Sequence, residues 1–441
     1  MNQDALIDAA SMEGYMLTGC SQDYDPLIEA IGDSRFVLLG ESTHGTHEFY
    51  RARAEISARL IAEKGFSAVA VESDWPETYR VNRYIRSMGS DESVVESMQD
   101  FLRFPLWMWR NADMLNFLGF LRDTNRIRDP REAVGFYGLD LYGMYSSINA
   151  VISYLERVDP QAAELARKRY ECFFRYRREE DSYAAAMSYI GEECISEAVL
   201  QLVELRERGM EYIKGGGFIA REEQFYAEQN ARLTRSAEEY YRSMFLDQTE
   251  SWNIRERHMA DTLEFLSDHL SRFGEGKIIV WAHNAHIGDA RATESTDRGE
   301  LSLGQLMRER YGKNNIFLLG LTTFEGTISA AGGWGGTVGR RNLKQAISKS
   351  MEYSFHKSDI GSFYLDLSML PPALLSEQFL QRNTGVIYNP QSEGLENYHR
   401  VTLSGQFDAL LHFDKTRALE PIDPGTFWKT GDIPETYNTG L

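Results

Sequence analysis

The sequence is poor in cysteine: Cys20, Cys172 and Cys194 are its only three, and no C-x-x-C pair occurs. An odd and scattered set of this kind favours free thiols, although Cys172 and Cys194 could meet in space. Free thiols are typical of a reducing compartment. The cysteine content therefore predicts a cytoplasmic protein.

Long hydrophobic runs are also missing, since no stretch approaches 18 consecutive apolar residues. The first residues are acidic and lack both a basic n-region and an apolar core, so we expect neither a signal peptide nor membrane association. Acids outnumber bases by 66 to 47, which gives a formal charge of −19. A phosphate backbone would be repelled, so nucleic acid is not expected as a partner. The oligomeric state is not indicated.

Five short apolar runs, each ending in polar residues, are the clearest structural signal. Their length and their content of Val, Ile, Leu and aromatic residues are typical of strands buried on both faces. Residues 48–65, between the first two runs, have helical spacing, so strand, helix and strand form a βαβ unit and the sheet should be largely parallel. A last strand is predicted over 406–414. The five runs are 35–41, 67–73, 133–140, 277–283 and 315–321.

Proline is absent from residues 161–370, and the first half of that range is rich in Glu, Arg, Ala and Leu. Helical stripes of apolar residues there predict three or four long helices over 158–272, with a break at 214–218. We expect this all-helical insert to form one wall of a cleft, between α/β core segments 1–157 and 273–441. The stripes, most simply explained by packing between helices, are Ile195, Val199, Leu202 and Leu205, and Met259, Leu263, Leu266 and Leu270.

Four of the nine histidines form two H-x-x-H pairs, His44/His47 and His283/His286. Random placement would give about 0.2 such pairs. Both pairs follow predicted buried strands, and ligands bind at the carboxyl ends of strands in open α/β sheets. The pattern therefore predicts that these histidines belong to a functional site.

Glutamates stand at the ends of the first two predicted strands, Glu41 and Glu72. A carboxylate there is costly unless it is paired or used, and on neighbouring parallel strands both would face one cleft with the histidines. Arg53 lies about two and a half helical turns after His44 and could fold back toward the strand ends. Alternatively, the two glutamates are structural acids that cap loop amides or pair with Arg53 and Arg80, and Arg53 is a surface residue.

Several catalytic motifs are missing. There is no G-x-S-x-G nucleophile elbow, the glycine-rich 332–336 lacks the Lys and Ser/Thr of a phosphate loop, and His47-Glu48 does not continue into H-E-x-x-H. What remains is a site of glutamates and histidines with water as the nucleophile. A histidine would activate this water directly, or a metal would hold it.

Three segments, 38–61 (LLGESTHGTHEFYRARAEISARLI), 68–85 (AVAVESDWPETYRVNRYI) and 278–289 (IIVWAHNAHIGD), together resemble the erythromycin esterase family. Residues 304–312 and 406–421 resemble its later blocks. The resemblance implies a three-layer α/β/α fold with a largely parallel sheet and a large inserted helical region over a deep cleft. It also implies hydrolysis of a macrolide lactone ester without a serine nucleophile.

The resemblance further assigns catalytic positions, with no cofactor expected. Family members also include general hydrolases and proteins labelled succinoglycan biosynthesis, and catalytic residues alone do not define a substrate. The positions are His44 as general base, Glu41 and Glu72 as cleft glutamates, Arg53 as the helix arginine, and His283 as the downstream histidine with His286 beside it.

Three functions therefore compete. The first is a carboxylic ester hydrolase acting on a small-molecule ester, possibly a macrolide. The second is a metal-dependent hydrolase in which Glu41, Glu72, His44, His283 and His286 supply nitrogen and oxygen ligands to a divalent ion. The third is a non-catalytic haem- or iron-binding relative of the same fold.

Overall fold

The apolar runs of the sequence form strands in the computed structural model, which describes residues 2–174, 194–244 and 246–423. Each predicted run overlaps one strand of the structure, although β6 continues from residue 316 to residue 330, well past the predicted run. The strands of the described residues are β1 (Tyr15–Met16), β2 (Phe36–Leu39), β3 (Ala68–Asp74), β4 (Gly135–Asp140), β5 (Ile278–Trp281), β6 (Ile316–Ala330), β7 (Gly339–Leu343), β8 (Phe363–Asp366), β9 (Gln378–Arg382), β10 (Tyr398–Thr402) and β11 (Ala409–Thr416).

One mixed sheet forms the centre of the molecule. Six strands run parallel in the order β11, β6, β2, β5, β3 and β4. The antiparallel strands β8 and β1 extend the edge beside β11, and β7 pairs antiparallel with the last part of β6. Strands β9 and β10 form a separate antiparallel pair. The prediction of a largely parallel sheet is confirmed.

Helices connect these strands and cover the sheet. Those of the described residues are α1 (Gln3–Glu13), α2 (Asp25–Ile31), α3 (His47–Glu63), α4 (Trp75–Ile85), α5 (Val94–Ser97), α6 (Ala112–Asn125), α7 (Met144–Val158), α8 (Pro160–Phe174), α9 (Ile195–Tyr212), α10 (Gly217–Ser243), α11 (Gln248–Leu270), α12 (Asn284–Ile287), α13 (Leu303–Tyr311), α14 (Met351–Lys357), α15 (Glu393–Glu396) and α16 (Leu403–Gln406).

Both faces of the sheet are buried, as the apolar strands require. Successive side chains of a strand point to opposite faces. In β2, Val37 and Leu39 belong to the core that includes α2, α3 and α6, whereas Phe36 and Leu38 belong to the core that includes α7 to α11. The three-layer α/β/α fold with a large helical region is therefore confirmed.

The helical region predicted over 158–272 contains α8 to α11 among the described residues; its segment 175–193 lies outside them. The stripe from Met259 to Leu270 is buried as predicted. The stripe from Ile195 to Leu205 is only partly buried, because Leu202 and Leu205 are buried whereas Val199 is exposed. The domain limits at 157/158 and 272/273 stay a prediction.

Strand order differs from the sequence-based expectation at one position. Glu41 and Glu72 were expected on neighbouring strands, but β5 lies between β2 and β3 and pairs in parallel with both. The expectation was wrong because a crossover helix can span more than one strand position, about 4.8 Å each. Both glutamates therefore flank the end of β5, where His283 stands.

The cysteine prediction was wrong for two of the three residues. Cys172, on α8, and Cys194, just before α9, are joined by a disulfide, their Cα atoms lying 6.1 Å apart. That separation is within the usual range for a disulfide. Cys20 is free and exposed. The cytoplasmic location, which rested partly on free thiols, stays a prediction.

No helix formed by the described residues is long and apolar enough to cross a membrane.

Candidate active site

The loop after β2 carries Glu41 and His44 and is held tightly against its neighbours. The backbone oxygen of Glu41 accepts a hydrogen bond from the Asn284 N–H. A Cβ atom at Gly45 would collide with the backbone of Ser329, so glycine is required where the loop passes β6. Within the loop, Nδ1 of His44 lies 2.9 Å from Oε1 of Glu41. Because the carboxylate accepts the Nδ1 proton, the unprotonated nitrogen of a neutral His44 is Nε2.

The second oxygen of Glu41 faces Arg53 of α3. Its Oε2 atom lies 2.8 Å from Nη2 of Arg53, and both side chains are only 1% exposed. The guanidinium of Arg53 also lies over the rings of Tyr50 and Trp281, 4.3 and 4.9 Å from their centroids. Arg53 thus folds back toward the strand ends as expected, and it supports Glu41 from behind.

His283 follows β5 and is the N-cap residue of α12. Its Nδ1 accepts a hydrogen bond from the Ala285 N–H at 3.2 Å, so in the neutral ring the proton is on Nε2. The ring lies 4.9 Å from the His44 ring, measured between centroids. Burial and the neighbouring charge of His44 lower the pKa of His283 well below its ordinary value. A neutral His283 therefore presents an N–H donor beside His44.

Glu72, at the end of β3, is engaged through both oxygens. Oε2 accepts a hydrogen bond from the backbone N–H of His283 at 2.8 Å, and Oε1 lies 2.9 Å from Nη2 of Arg255 and 3.2 Å from Nε2 of His286. Burial alone would raise the pKa of Glu72, but the charges of His286, His44 and Arg255 hold it well below its usual range. Glu72 is therefore an anion in a cationic setting.

His286 is placed between two carboxylates. Its Nδ1 lies 2.5 Å from Oε1 of Glu256, and Trp252 stacks on its ring at 4.8 Å with the planes 12° apart. Burial would lower the pKa of His286, but Glu256 and Glu72 raise it to about 9. His286 is therefore an imidazolium at neutral pH.

The site residues border a cleft with a volume of about 1190 Å³. Its lining includes His44, Glu72, His283 and His286, whereas Glu41 and Arg53 lie behind it. Helices α10 and α11 and the short connection between them contribute part of one wall, as expected for the helical region. These wall residues are Tyr240, Tyr241, Met244, Trp252 and Arg255.

All six predicted site residues thus meet at the carboxyl ends of β2, β3 and β5. His47 does not join them: its Nδ1 lies 2.8 Å from Asp113 and its Nε2 lies 2.6 Å from Arg417, away from the cleft lining. The structural alternative for the glutamates holds in part. Glu41 pairs with Arg53 and Glu72 accepts a loop amide, but Arg80 pairs with Asp91 and Asp100 instead.

The donor set is poorly arranged for a metal ion. The oxygens of Glu41 face His44 and Arg53, and those of Glu72 face Arg255, His286 and a backbone N–H. Within residues 2–174, 194–244 and 246–423, no three His, Cys, Asp or Glu side chains form a group that could hold a metal.

Comparison with known proteins identifies the family. The family model of erythromycin esterase matches residues 61–416, which is most of the chain. The chain belongs to the erythromycin esterase family.

Individual members of the family are distant in sequence. The erythromycin esterase type II of Escherichia coli is 22% identical over 422 residues, covering 91% of this chain and 94% of that protein. A succinoglycan biosynthesis protein of known structure superposes with a TM-score of 0.77 at 22% identity, over 95% of this chain and 98% of its own. An erythromycin esterase mutant in its open conformation gives a TM-score of 0.66 at 16% identity, over 92% and 95%. The structural likenesses establish the shared fold.

Sequence reasoning missed four residues of this family member's site. Asp140 had a usable signal, because it ends the third apolar run as Glu72 ends the second. Trp252, Arg255 and Glu256 had none, since they lie on an amphipathic helix whose charges resemble a solvated face.

Proposed function

We propose that this hydrolase of the erythromycin esterase family cleaves a carboxylic ester with water as the nucleophile and His44 as the general base. The observation that supports this most is the Glu41–His44 hydrogen bond, which leaves Nε2 of a cleft-lining imidazole as the proton acceptor. A neutral imidazole is suited to accept a proton from water near neutral pH.

The first step forms one bond. The water oxygen attacks the carbonyl carbon while its proton passes to Nε2 of His44, and the carbonyl oxygen becomes an oxyanion. Glu41 stabilises the imidazolium that results, and Arg53 holds Glu41 in place. We assign the oxyanion contact to the Nε2–H of His283, because Arg53 does not reach the cleft and His286 is held between two carboxylates.

The second step breaks the ester bond. The tetrahedral intermediate expels the alcohol oxygen, which takes the proton from His44 Nε2, and the carboxylic acid product remains. His44 returns to its neutral form, so one water is consumed for each ester. No covalent enzyme intermediate is involved.

The shape and lining of the cleft support a proposal for the substrate class. A volume of about 1190 Å³ exceeds what a small aryl ester needs, and the walls carry many aromatic side chains, among them Phe104, Trp109, Tyr142 and Trp334. These dimensions support a bulky ester, including a macrolide lactone, as the substrate. We place the selectivity for its non-reacting part in the walls, including the helical region.

A hydrolysis screen tests the proposal. Aryl esters and macrolide lactones are incubated with the protein and with a folded His44→Asn variant, and acid and alcohol release are measured. We expect turnover of at least one ester by the wild type and its loss in the variant. Absence of any ester hydrolysis, or equal rates for both proteins, would overturn the proposal.

A further inference from the structure

Helix α11 presents three side chains to the site from one face. Trp252, Arg255 and Glu256 are spaced i, i+3 and i+4, which places them side by side on a helix. Trp252 stacks on His286, and Glu256 binds the Nδ1 of the same ring. Neither Glu41 nor His44 is touched by these three residues, so any influence on His44 must pass through others.

Arg255 connects two strands of the sheet. Its Nε and Nη2 atoms donate to both oxygens of Asp140 at 2.9 and 2.7 Å, and Nη2 also donates to Glu72 at 2.9 Å. A guanidinium presents its donors in a rigid planar fork, so the contact fixes orientation as well as distance. The Glu72 carboxylate is thereby aligned, and its other oxygen, Oε2, accepts a hydrogen bond from the backbone N–H of His283.

Glu256 is anchored just as firmly. It is fully buried, with Oε1 on His286 and Oε2 accepting from the Leu303 N–H at 2.7 Å. Apolar side chains of similar volume often stabilise a core as well as a buried ion network does. This buried ion network is therefore not needed for stability alone. It lies next to the proposed active site and lines the cleft at Arg255 and His286, which favours a role in function.

We propose that Arg255 and Glu256 are positioning residues for the ester hydrolysis described above: acting through Glu72 and His286, they hold His283 in place beside His44. This inference rests on the proposed function and extends the machinery to a helix of the predicted insert. His283 depends on the network because its backbone N–H is bound to Glu72, whose other oxygen is held by Arg255 and His286.

The charge state of His286 gives the proposal a distinctive signature. The groups that face His286 are Glu72 from β3, Arg255 and Glu256 from α11, and His283 from the end of β5. The two carboxylates keep it an imidazolium at neutral pH. Without the Glu256 charge, its pKa falls toward the ordinary imidazole value of about 6.5. His286 then loses its proton within the working range and releases Glu72.

The experiment compares two variants with two matched controls on α11. Glu256→Gln removes the charge and keeps the shape, and Arg255→Lys keeps the charge and loses the fork. The controls are Glu250→Gln and Arg257→Lys, which alter an exposed ion pair of 3.1 Å on the same helix. Kinetic constants are measured from pH 5.5 to 9 on an ester that the wild type hydrolyses, with circular dichroism to confirm folding.

We expect Arg255→Lys to lower kcat/KM about 10²-fold, the size of effect that a misplacement of about 1 Å produces. Glu256→Gln should lose kcat as the pH rises from 6.5 to 8, a loss that the wild type and both controls do not show. A purely structural role would lower the thermal midpoint without moving the pH profile. If Glu256→Gln does not fold, Glu256→Asp takes its place and should lower kcat at least 10-fold.

Two outcomes would overturn the inference in different ways. If the wild type hydrolyses no ester, the proposed function fails and this inference with it. If the wild type is active and His44→Asn is not, yet the folded Arg255 and Glu256 variants match the controls in rate and pH profile, only this inference fails.

Discussion

The rings of His44 and His283 lie 4.9 Å apart, measured between centroids, and each follows one of two neighbouring parallel strands. The Nδ1 atoms of the two rings have different hydrogen-bond partners. A carboxylate of Glu41 binds Nδ1 of His44, whereas a backbone N–H binds Nδ1 of His283. The first arrangement leaves an acceptor at Nε2 and the second leaves a donor, so the two imidazoles can act as base and electrophile side by side.

Replacing His44 with Asn should lower kcat about 10²- to 10⁴-fold, the usual contribution of a general base. The thermal midpoint should change little. His47→Asn is the matched control, because His47 belongs to the same H-x-x-H pair but binds Asp113 and Arg417 away from the cleft. Steady-state kinetics of both variants decide the matter, and a folded His44→Asn enzyme with near wild-type kcat would remove His44 from the mechanism.

His283→Phe should lower kcat about 10²- to 10³-fold, as expected when one oxyanion donor is lost. His283→Gln retains an N–H near the position of Nε2 and should lose less. The ratio of the two rates is the measurement, since both variants lose the imidazole. Equal rates for the Phe and Gln variants would show that the N–H of His283 does not contact the oxyanion.

Arg53→Met should lower the free energy of unfolding by about 3–5 kcal/mol, because it leaves the Glu41 carboxylate buried without its cation. Adding Glu41→Gln to this variant removes the buried charge and should recover part of the loss. Urea denaturation of the two single variants and the double variant gives the coupling. Strictly additive losses would mean that the 2.8 Å contact carries no stabilising interaction.

Exhaustive chelation should leave ester hydrolysis unchanged, since the carboxylates of the site already face cations or N–H groups. The absorption spectrum of the purified protein should likewise contain no Soret band. Activity is assayed before and after dialysis against chelator, and again after addition of zinc or manganese. Loss on chelation with recovery on metal addition would favour the metal-dependent mechanism.

His258 on α11 should make the protein sensitive to acid. Burial lowers the pKa of His258 to about 4, below the value of about 6.5 in an unfolded chain. Between these pH values the unfolded state binds more protons than the folded state does. The contribution of His258 to stability is therefore complete above about pH 6.5 and is lost as the pH falls toward 4. The free energy of unfolding should fall less steeply over this range in His258→Leu. Parallel curves for the two proteins would contradict the assignment.

The sequence predicts the six parallel strands, because strands buried on both faces are continuous apolar runs, as in residues 36–39 of β2. The antiparallel strands β1, β7, β8, β9 and β10 lack such runs and were not predicted. It also predicts that the histidines and glutamates at the strand ends lie together, because such residues are costly there unless paired or used. Glu41, His44, Glu72, His283 and His286 do meet at the carboxyl ends of β2, β3 and β5. The sequence contains no comparable signal for the order of the strands in the sheet. Apolar runs show that a strand is buried but not which strand it pairs with, so the position of β5 between β2 and β3 could not be inferred.

Residues of α11 illustrate a second limit. Met259 and Leu263 follow the helical stripe and were recognised, whereas Arg255 and Glu256 lie outside it and resemble an exposed ion pair. Only the packing of α11 over β4 and α12 shows that this polar face is buried. An adjacent pair of opposite charges, such as Arg255 and Glu256, carries no sign in the sequence that it will face the site rather than solvent.

The position of β5 makes the site a late product of chain synthesis. Strands β2 and β3 have both been made by Asp74, yet they do not pair with each other, and their shared neighbour begins only at Ile278. While the helical region is synthesised, the nascent chain therefore carries two apolar strands with an unfilled place between them, a state prone to wrong pairing. A chain stalled before Ile278 would already contain His44 and Glu72 but could not join them. The native strand order and the catalytic arrangement can therefore arise only after β5 has been synthesised.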